Sequence, residues 1–500
     1  MAQERSIQQR RTSAQTVGRG IPLGVAFVAG WVVMMLEILG ARLLAPYFGY
    51  SVYQWGALIG VVLSALTCGY YLGGRVGDGN HARQFLIWVL ILSAAWIMLI
   101  PTVARLSLPW SRASGPAWGA VVATTLLLGL PSALLGTVSP IIIRLTFTGG
   151  VANAAGSVYA VSTLGSIGGT FLTSFYAIPA LGSRVSLYVA GLLLIVALAG
   201  LSLAGRQFRY LTAICLVLLP VILPSAKLPK GVIYEAESIH NIIRVADGTI
   251  GRSLFLNYAA GPQTVARKDG LLTGRYYDYF VLGPLMNGGK RALFLGVGGG
   301  TALKQVLTVY PDVEVVGVDL DPEVLVVAEH YFGLVPSSRL NLRAEDARWY
   351  IESTTREFDL IAIDLFVTGQ IPFFTTTVEF FDLLKKRLSA RGLIMMHIRS
   401  MGPGEELLAP FVSTIGAVFP SVFLFGRNNF ILVASKAPVE MEVLIQALQR
   451  GATSFPVVQP VVARALTDFK RAVADEHCPT FTDDRNDVEI RTFRMSYKSN

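Results

Sequence analysis

The chain has 500 residues, of which 53% are hydrophobic and only 15% charged, with a net charge of +9. Soluble chains carry about 25% charged residues, so the composition excludes a wholly soluble globule. The positive excess lies in the N-terminal tail and in short loops between apolar runs, with no basic stripe interleaved with aromatics, which argues against a nucleic-acid partner.

The deficit of charge is confined to the first half. Residues 1–20 form a polar tail, 21–226 a transmembrane domain, 231–285 a small β domain and 286–500 a Rossmann-like domain, with the main boundary near Lys227 to Lys230. A span takes about 20 mostly apolar residues. Seven segments qualify: 21–44, 53–74, 85–104, 117–143, 156–181, 185–204 and 210–226, the last short and interrupted by Pro220 and Pro224. Glycines four residues apart, Gly56 and Gly60, Gly69 and Gly73, and Gly165 and Gly169, are expected to let helix backbones approach closely in lipid. Glu37 lies inside the first span with Arg42 near its end, and a carboxylate there needs a partner.

From Arg291 the pattern alternates strand and helix, which predicts a parallel sheet. Strands are expected at Ala292–Leu295, Val313–Val318, Leu340–Arg343, Phe358–Ile363 and Gly392–His397, and helices at Thr301–Tyr310 and Asp321–Tyr331. Ser421–Phe425 and Phe430–Ala434 close the sheet as an antiparallel pair, and residues 232–266 alternate like a small β meander. The fold class is therefore an all-α transmembrane bundle, then a small β domain and an α/β sheet of methyltransferase type.

The first strand of the sheet runs into Gly296, Val297, Gly298, Gly299 and Gly300. Glycines there let backbone approach a ligand at a helix N-terminus. Asp319 ends the second strand, 23 residues after Gly296, where an acid can hold ribose hydroxyls. Asp346 and Ala347 follow the third strand, at the height of an adenine ring, and Asp364 ends the fourth. Ligands of such sheets bind outside the carboxyl ends of the strands, so Asp364 faces the reacting end. Asp321, followed by Pro322, reads as a helix cap. Cys68, Cys215 and Cys478 form neither a disulfide framework nor a zinc site. His330, His397 and His477 do not cluster in sequence, so no metal is expected.

With these residues in place, the chain resembles the spermidine synthases (polyamine aminopropyltransferases), and more closely their membrane-fused bacterial homologues. The carriers in the first half are Leu36 to Gly49, Ser51 to Gly56 and Gly69 to Arg75. In the second they are Glu237-Ser238, Leu254 to Asn257, Gly261 to Gln263, Tyr276 to Asp278, Pro284-Leu285, the glycine turn, Asp319, Asp346-Ala347, Asp364, and the tail Thr482 to Arg485. The resemblance implies transfer of an aminopropyl group from decarboxylated S-adenosylmethionine to an amine such as putrescine, with 5′-methylthioadenosine leaving. It implies Asp364 as general base, Gly296, Gly298, Gly300, Asn241, Asp319, Asp346 and Ala347 around the donor, and Tyr277 and Gln263 on the substrate side. It also implies a lipid bilayer around the first half and a homodimer through the second.

The chain departs from the family mainly around the amine, and at one pair near the donor. Gly299 stands where an aspartate is usual, Val367 where a second aspartate follows the base, His240-Asn241 where a Tyr-Gln pair is usual, and Tyr277 where a histidine is usual. Two lost carboxylates remove attraction for a dication, each worth more than about 1 kcal/mol in a shielded site. Two other readings therefore stay open: an S-adenosylmethionine-dependent methyltransferase, and a non-catalytic nucleoside-binding membrane sensor or transporter. A cytosolic donor places the soluble half in the cytoplasm of a multi-pass cell-membrane protein. The arginines disagree: Arg5, Arg10, Arg11 and Arg19 favour a cytoplasmic tail, and seven spans would then carry the second half outside.

Overall fold

A computed structural model describes residues 20–49, 51–79, 81–146, 150–204, 231–258, 261–366, 371–399, 407–475, 477–489 and 491–492. The chain divides into two compact units, Met1–Lys227 and Leu228–Asn500.

In the first unit, five helices among the described residues are long and apolar enough to cross a membrane: α1 Gly20–Phe48, α2 Val52–Gly77, α3 Ala82–Ser111, α4 Ala117–Thr146 and α5 Val151–Leu203. The first four expected spans fall one to one on α1 to α4, and the fifth and sixth both fall along α5. At about 1.5 Å per residue, a straight 53-residue α5 would run to roughly 80 Å. It does not run straight, because Gly182 breaks it with φ 73 and ψ 172. The two rods on either side correspond to the segments expected at 156–181 and 185–204. The expected seventh segment, 210–226, lies outside the described residues.

Backbone contact explains two of the three glycine pairs. A Cβ on Gly69 or Gly73 of α2 would lie 2.2 Å from the Ala133 carbonyl oxygen or 2.6 Å from that of Thr137, on α4. One on Gly165 or Gly169 of α5 would lie 2.0 Å from the Phe27 oxygen or 2.4 Å from the Trp31 oxygen, on α1. Only glycine admits such crossings. Gly56 and Gly60 face open space, so their spacing marks no crossing among the described residues. Hydrogen bonds from Gln54 Nε2 to the Ala41 oxygen (2.7 Å) and from Arg83 Nη2 to the Leu201 oxygen (2.8 Å) join further helices of the bundle.

The second unit opens with an antiparallel meander, β1 Val232–Glu237, β2 Ile242–Asp247, β3 Gly251–Leu256 and β4 Thr264–Arg267. A larger sheet follows, made of β5 Arg291–Leu295, β6 Glu314–Asp319, β7 Leu340–Ala344, β8 Phe358–Ile363, β9 Leu388–Arg399, β10 Ser421–Phe425, β11 Asn429–Ser435 and β12 Lys470–Arg471. Its order is β7-β6-β5-β8-β9-β11-β10-β12. The first five of these strands are parallel, and β11, β10 and β12 add antiparallel pairs. The helices between them are α6 Thr301–Val309, α7 Pro322–Phe332, α8 Ala347–Ser353, α9 Val378–Arg387 and α10 Leu408–Gly416, followed late in the chain by α11 Met441–Ser454 and α12 Gln459–Thr467.

Alternation along the strands feeds two cores, as a period of two residues requires. Ala292 and Phe294 of β5 pack on one face with Leu303 and Val306 of α6, Leu448 of α11 and Val461 of α12. Leu293 and Leu295 pack on the other with Tyr350 of α8, Phe380 and Phe381 of α9 and Phe411 of α10. The meander buries Ile243, Val245 and Leu254 against Val324, Val327 and Phe332 of α7. It therefore shares its core with the larger domain. The strand order reverses between β5 and β8, which creates a crevice at their carboxyl ends.

Candidate active site

The crevice begins with backbone. Gly296, Gly298 and Gly300 take φ of 92°, 54° and 73°, a region that side chains disfavour. Leu295 pairs with Ile363, so the turn leaves the sheet beside the end of β8. A Cβ on Gly296 would sit 2.3 Å from the Asp364 carbonyl oxygen. Glycine is required here because two strand ends touch.

Asp319 closes the turn from β6. Its Oδ2 accepts from the backbone N–H of Val297 (3.0 Å) and Gly298 (3.2 Å), and its Oδ1 from that of Asp321 (3.1 Å). Burial holds its carboxyl above the ordinary value, and these three N–H groups oppose that only in part. Carboxylate oxygens have further lone pairs, so Asp319 retains capacity for a diol. Asp321 caps α7 through the Glu323 N–H, with Pro322 in the first turn. Its other oxygen accepts from Ser238 Oγ (2.5 Å) and Asn241 Nδ2 (2.8 Å), and Asn241 Oδ1 accepts from Asn257 Nδ2 (2.9 Å). Asn241 thus reaches the site's rim through Asp321, as part of the clamp between meander and α7. Asp346 caps α8 through the Trp349 N–H (2.9 Å), with Ala347 buried next to it.

At the opposite end stands Asp364. Its Oδ2 accepts from the Tyr276 hydroxyl at 3.0 Å, and its Oδ1 lies 2.9 Å from His397 Nδ1. His397 comes from the end of β9, where Ile363 pairs with Met396. The Tyr276 and His397 rings stack at 3.6 Å between centroids, 13° from parallel. His397 Nε2 lies 3.0 Å from Asn429 Oδ1 on β11. Burial, then the adjacent Asp364 charge, push the Tyr276 phenol well above its ordinary value, with Arg399 opposing. Tyr276 therefore remains a hydrogen-bond donor.

Not every residue singled out in the sequence reaches this cluster. Tyr277 turns away: its hydroxyl accepts from the Val265 N–H at 3.0 Å and its side chain is buried in the core. The tyrosine on Asp364 is Tyr276, one residue earlier, because this stretch is a short 3-10 helix, Tyr276–Leu282, and not an extended segment. Gln263 precedes β4, where Thr264 Oγ1 accepts from the Gly299 N–H at 2.9 Å. A Cβ on Gly299 would meet Thr264 Cγ2 at 2.7 Å, so the turn has no room for the family's usual aspartate. Val367 lies outside the described residues. In the tail, Asp483 takes both Arg348 Nη atoms at 2.8 and 2.6 Å and the Thr377 hydroxyl at 2.8 Å, a strap between α8 and α9. His397 escaped the sequence reading, although its place at the end of a parallel strand was a usable signal.

A glycine turn at a helix start, an acid ending the next strand and a carboxylate at the switch point define a doubly wound α/β domain of methyltransferase type. Residues 281–425 match the family model for the spermine/spermidine synthase domain. A probable polyamine aminopropyl transferase of Bifidobacterium longum is 30% identical over 188 residues, 37% of this chain and 42% of that protein. A polyamine aminopropyltransferase of Vibrio vulnificus is 29% identical over 264 residues, 50% of this chain and 83% of that protein. The first of these alignments thus spans less than half of the relative's length. The crystal structure of a probable spermidine synthase from Corynebacterium glutamicum overlays 50% of this chain and 97% of its own at 20% identity and a TM-score of 0.39. The match to the spermine/spermidine synthase domain thus falls within the C-terminal unit.

Proposed function

We propose that the protein is a membrane-anchored aminopropyltransferase that moves an aminopropyl group from decarboxylated S-adenosylmethionine to an amine, with 5′-methylthioadenosine as by-product. The observation that carries this reading is the contact between glycine turn and Asp364: the nucleoside cradle and the carboxylate share one strand-end junction. The donor's ribose would lie against Asp319, its adenine near Asp346 and Ala347, and its sulfonium toward Asp364. Free amines are protonated at neutral pH. Asp364 would take one proton, and the neutral nitrogen would attack the propyl carbon. As the C–N bond forms the C–S bond breaks, and its electron pair stays on sulfur. Holding nitrogen and carbon in line supplies much of the remaining acceleration.

The bilayer would hold the first unit. If the rods on either side of Gly182 each cross, six crossings return the chain near residue 204 to the side of the N-terminal tail. With 210–226 not crossing, the arginine pattern and a cytoplasmic catalytic unit agree.

Gly299 favours a second reading, methyl transfer from S-adenosylmethionine itself. The turn carries no carboxylate to repel that donor's own, and Thr264 leaves no space for one.

The deciding assay uses the full chain in detergent with decarboxylated S-adenosylmethionine and a panel of mono-, di- and triamines. Amine-dependent methylthioadenosine, read by mass spectrometry and lost in Asp364→Asn, is the expected result. S-adenosylhomocysteine from S-adenosylmethionine would move the assignment to methyl transfer. Nucleoside binding without either product would leave a ligand sensor.

A further inference from the structure

We infer that the acceptor of this site is an amine that also carries an anionic group, with Asp364 taking its nitrogen and Arg399 its anion; the assignment rests on the aminopropyl-transfer reading and names its substrate class.

Strand geometry places the two charges. β9 runs parallel to β8 with Met396 opposite Ile363, so His397 stands level with Asp364. Side chains of a strand alternate between faces. Leu393 and Met395 feed one core and Ile394, Met396 and Ile398 the other, so Arg399 follows His397 on the face of Leu393 and Met395. Two residues of strand rise about 7 Å. Arg399 is displaced by that much from the level of Asp364, toward the carboxyl ends where such sheets bind ligands. It still belongs to the sheet, paired with Asn429, whose side chain holds His397. Asp364 raises and Arg399 lowers the pKa of the Tyr276 phenol, so both charges act on one side chain of the site.

Arg399 is half-buried, and among the described residues it forms no ion pair. Acids on the adjoining elements are engaged elsewhere. Asp278 of the 3-10 helix accepts from the Gly274 N–H (2.6 Å), the Thr273 hydroxyl (2.8 Å) and Gln305 Nε2 (2.6 Å), and lies 3.8 Å from Arg464. Asp468, just after α12, pairs with Arg427 of the β10–β11 turn at 3.0 Å.

One carboxylate and one guanidinium suit an acceptor of opposite ends. A diamine brings two ammonium groups at neutral pH. With one nitrogen at Asp364, the other would lie beside Arg399, and like charges repel. An anion in that place would instead accept from the paired guanidinium donors, which match a carboxylate in geometry. The Tyr276 and Phe366 rings, 3.6 and 5.0 Å from the His397 ring, offer an apolar surface to the methylenes between amine and anion. The ammonium gives one proton to Asp364, the freed lone pair forms the C–N bond, and sulfur keeps the electrons of the broken C–S bond. The product keeps its anion and gains an aminopropyl arm on what is now a secondary amine.

The test uses the full chain in detergent, decarboxylated S-adenosylmethionine and three acceptors of like length: 4-aminobutyrate, putrescine and butylamine. Wild type should release methylthioadenosine fastest with 4-aminobutyrate, by about 10-fold or more in kcat/KM, the least that one charge-assisted hydrogen bond supplies. Arg399→Gln should lower the ratio of 4-aminobutyrate to butylamine by about 10- to 100-fold, through acceptor KM and with donor KM unchanged. Arg399→Glu should reverse the order in favour of putrescine. An amine without an anion ahead in the wild type, or equal loss with all three acceptors in Arg399→Gln, would overturn the inference. A second readout needs no turnover: saturation-transfer NMR of 4-aminobutyrate with methylthioadenosine present. Binding should weaken in Arg399→Gln and be kept in part in Arg399→Lys. Binding absent in the wild type, or equal in wild type and Arg399→Gln, would overturn the anion site. Wild type that releases no methylthioadenosine with any amine would defeat the aminopropyl reading, and the binding comparison then decides the anion site by itself.

Discussion

The two ends of the crevice are built from different materials. The glycine-turn end, proposed to hold the nucleoside, is mostly backbone: three left-handed glycines, helix caps at Asp321 and Asp346, and Asp319 bound to N–H groups of the turn. The Asp364 end, proposed to meet the acceptor, is entirely side chain: Asp364, Tyr276, His397 and Asn429, from four separate segments. A backbone cradle is indifferent to most substitutions around it but intolerant of a Cβ at its glycines. A side-chain cluster tolerates backbone variation but is remade by single replacements.

The sharpest way to separate the ends is Asp364→Asn. It should cut turnover by about 100- to 10,000-fold while nucleoside affinity, measured by calorimetry, changes by less than about threefold; a matching loss of affinity would show the ends to be one unit. Next in size is Gly299→Asp, whose Cβ collides with Thr264. Overpacking of this kind costs about 1–3 kcal/mol, seen as a lower Tm, and Thr264→Ser in the same chain should recover part of it by removing Cγ2 while keeping the hydroxyl. The double variant should also disfavour S-adenosylmethionine against its decarboxylated form, which would locate donor choice at the backbone end. Tyr276→Phe removes one donor to Asp364. Loss of about 1 kcal/mol, or roughly fivefold in kcat, is expected with donor KM intact; no change would mean that His397 alone orients the carboxylate.

The smallest effect belongs to neither end. The hydrogen bond from Arg348 holds the Asp483 carboxyl below its usual range. A lowered carboxyl adds stability that is present above its unfolded value and lost as the pH falls through the folded one. The pair is partly exposed, so Asp483→Asn should cost less than about 1 kcal/mol at pH 7, measured by denaturant unfolding. That cost should vanish once the medium is acid enough to protonate Asp483 in the wild type. A cost that persists there would assign the strap to the Thr377 contact instead.

Much of the molecule was legible in its residues alone. Long apolar runs mark the five helices long enough to cross a bilayer, because a span needs about 20 apolar residues in one piece. Alternating strands and helices from Arg291 onward foretold the parallel sheet, and Gly296, Gly298 and Gly300 marked its ligand turn because positive φ is a local demand on a residue. The cap at Asp321 was equally local, needing only Pro322 beside it. What sequence could not decide was everything that depends on register between distant segments. Tyr276 and His397 meet Asp364 from 88 and 33 residues away, and only strand pairing and a one-residue shift into a 3-10 helix put Tyr276 there while Tyr277 turns into the core. The same holds in the apolar helices, where Gly69 and Gly165 lie at crossings and Gly56, with the same spacing, meets nothing among the described residues. A spacing shows which residues could meet, but contact depends on the side each helix turns to its neighbour, and that is set by packing of the whole bundle.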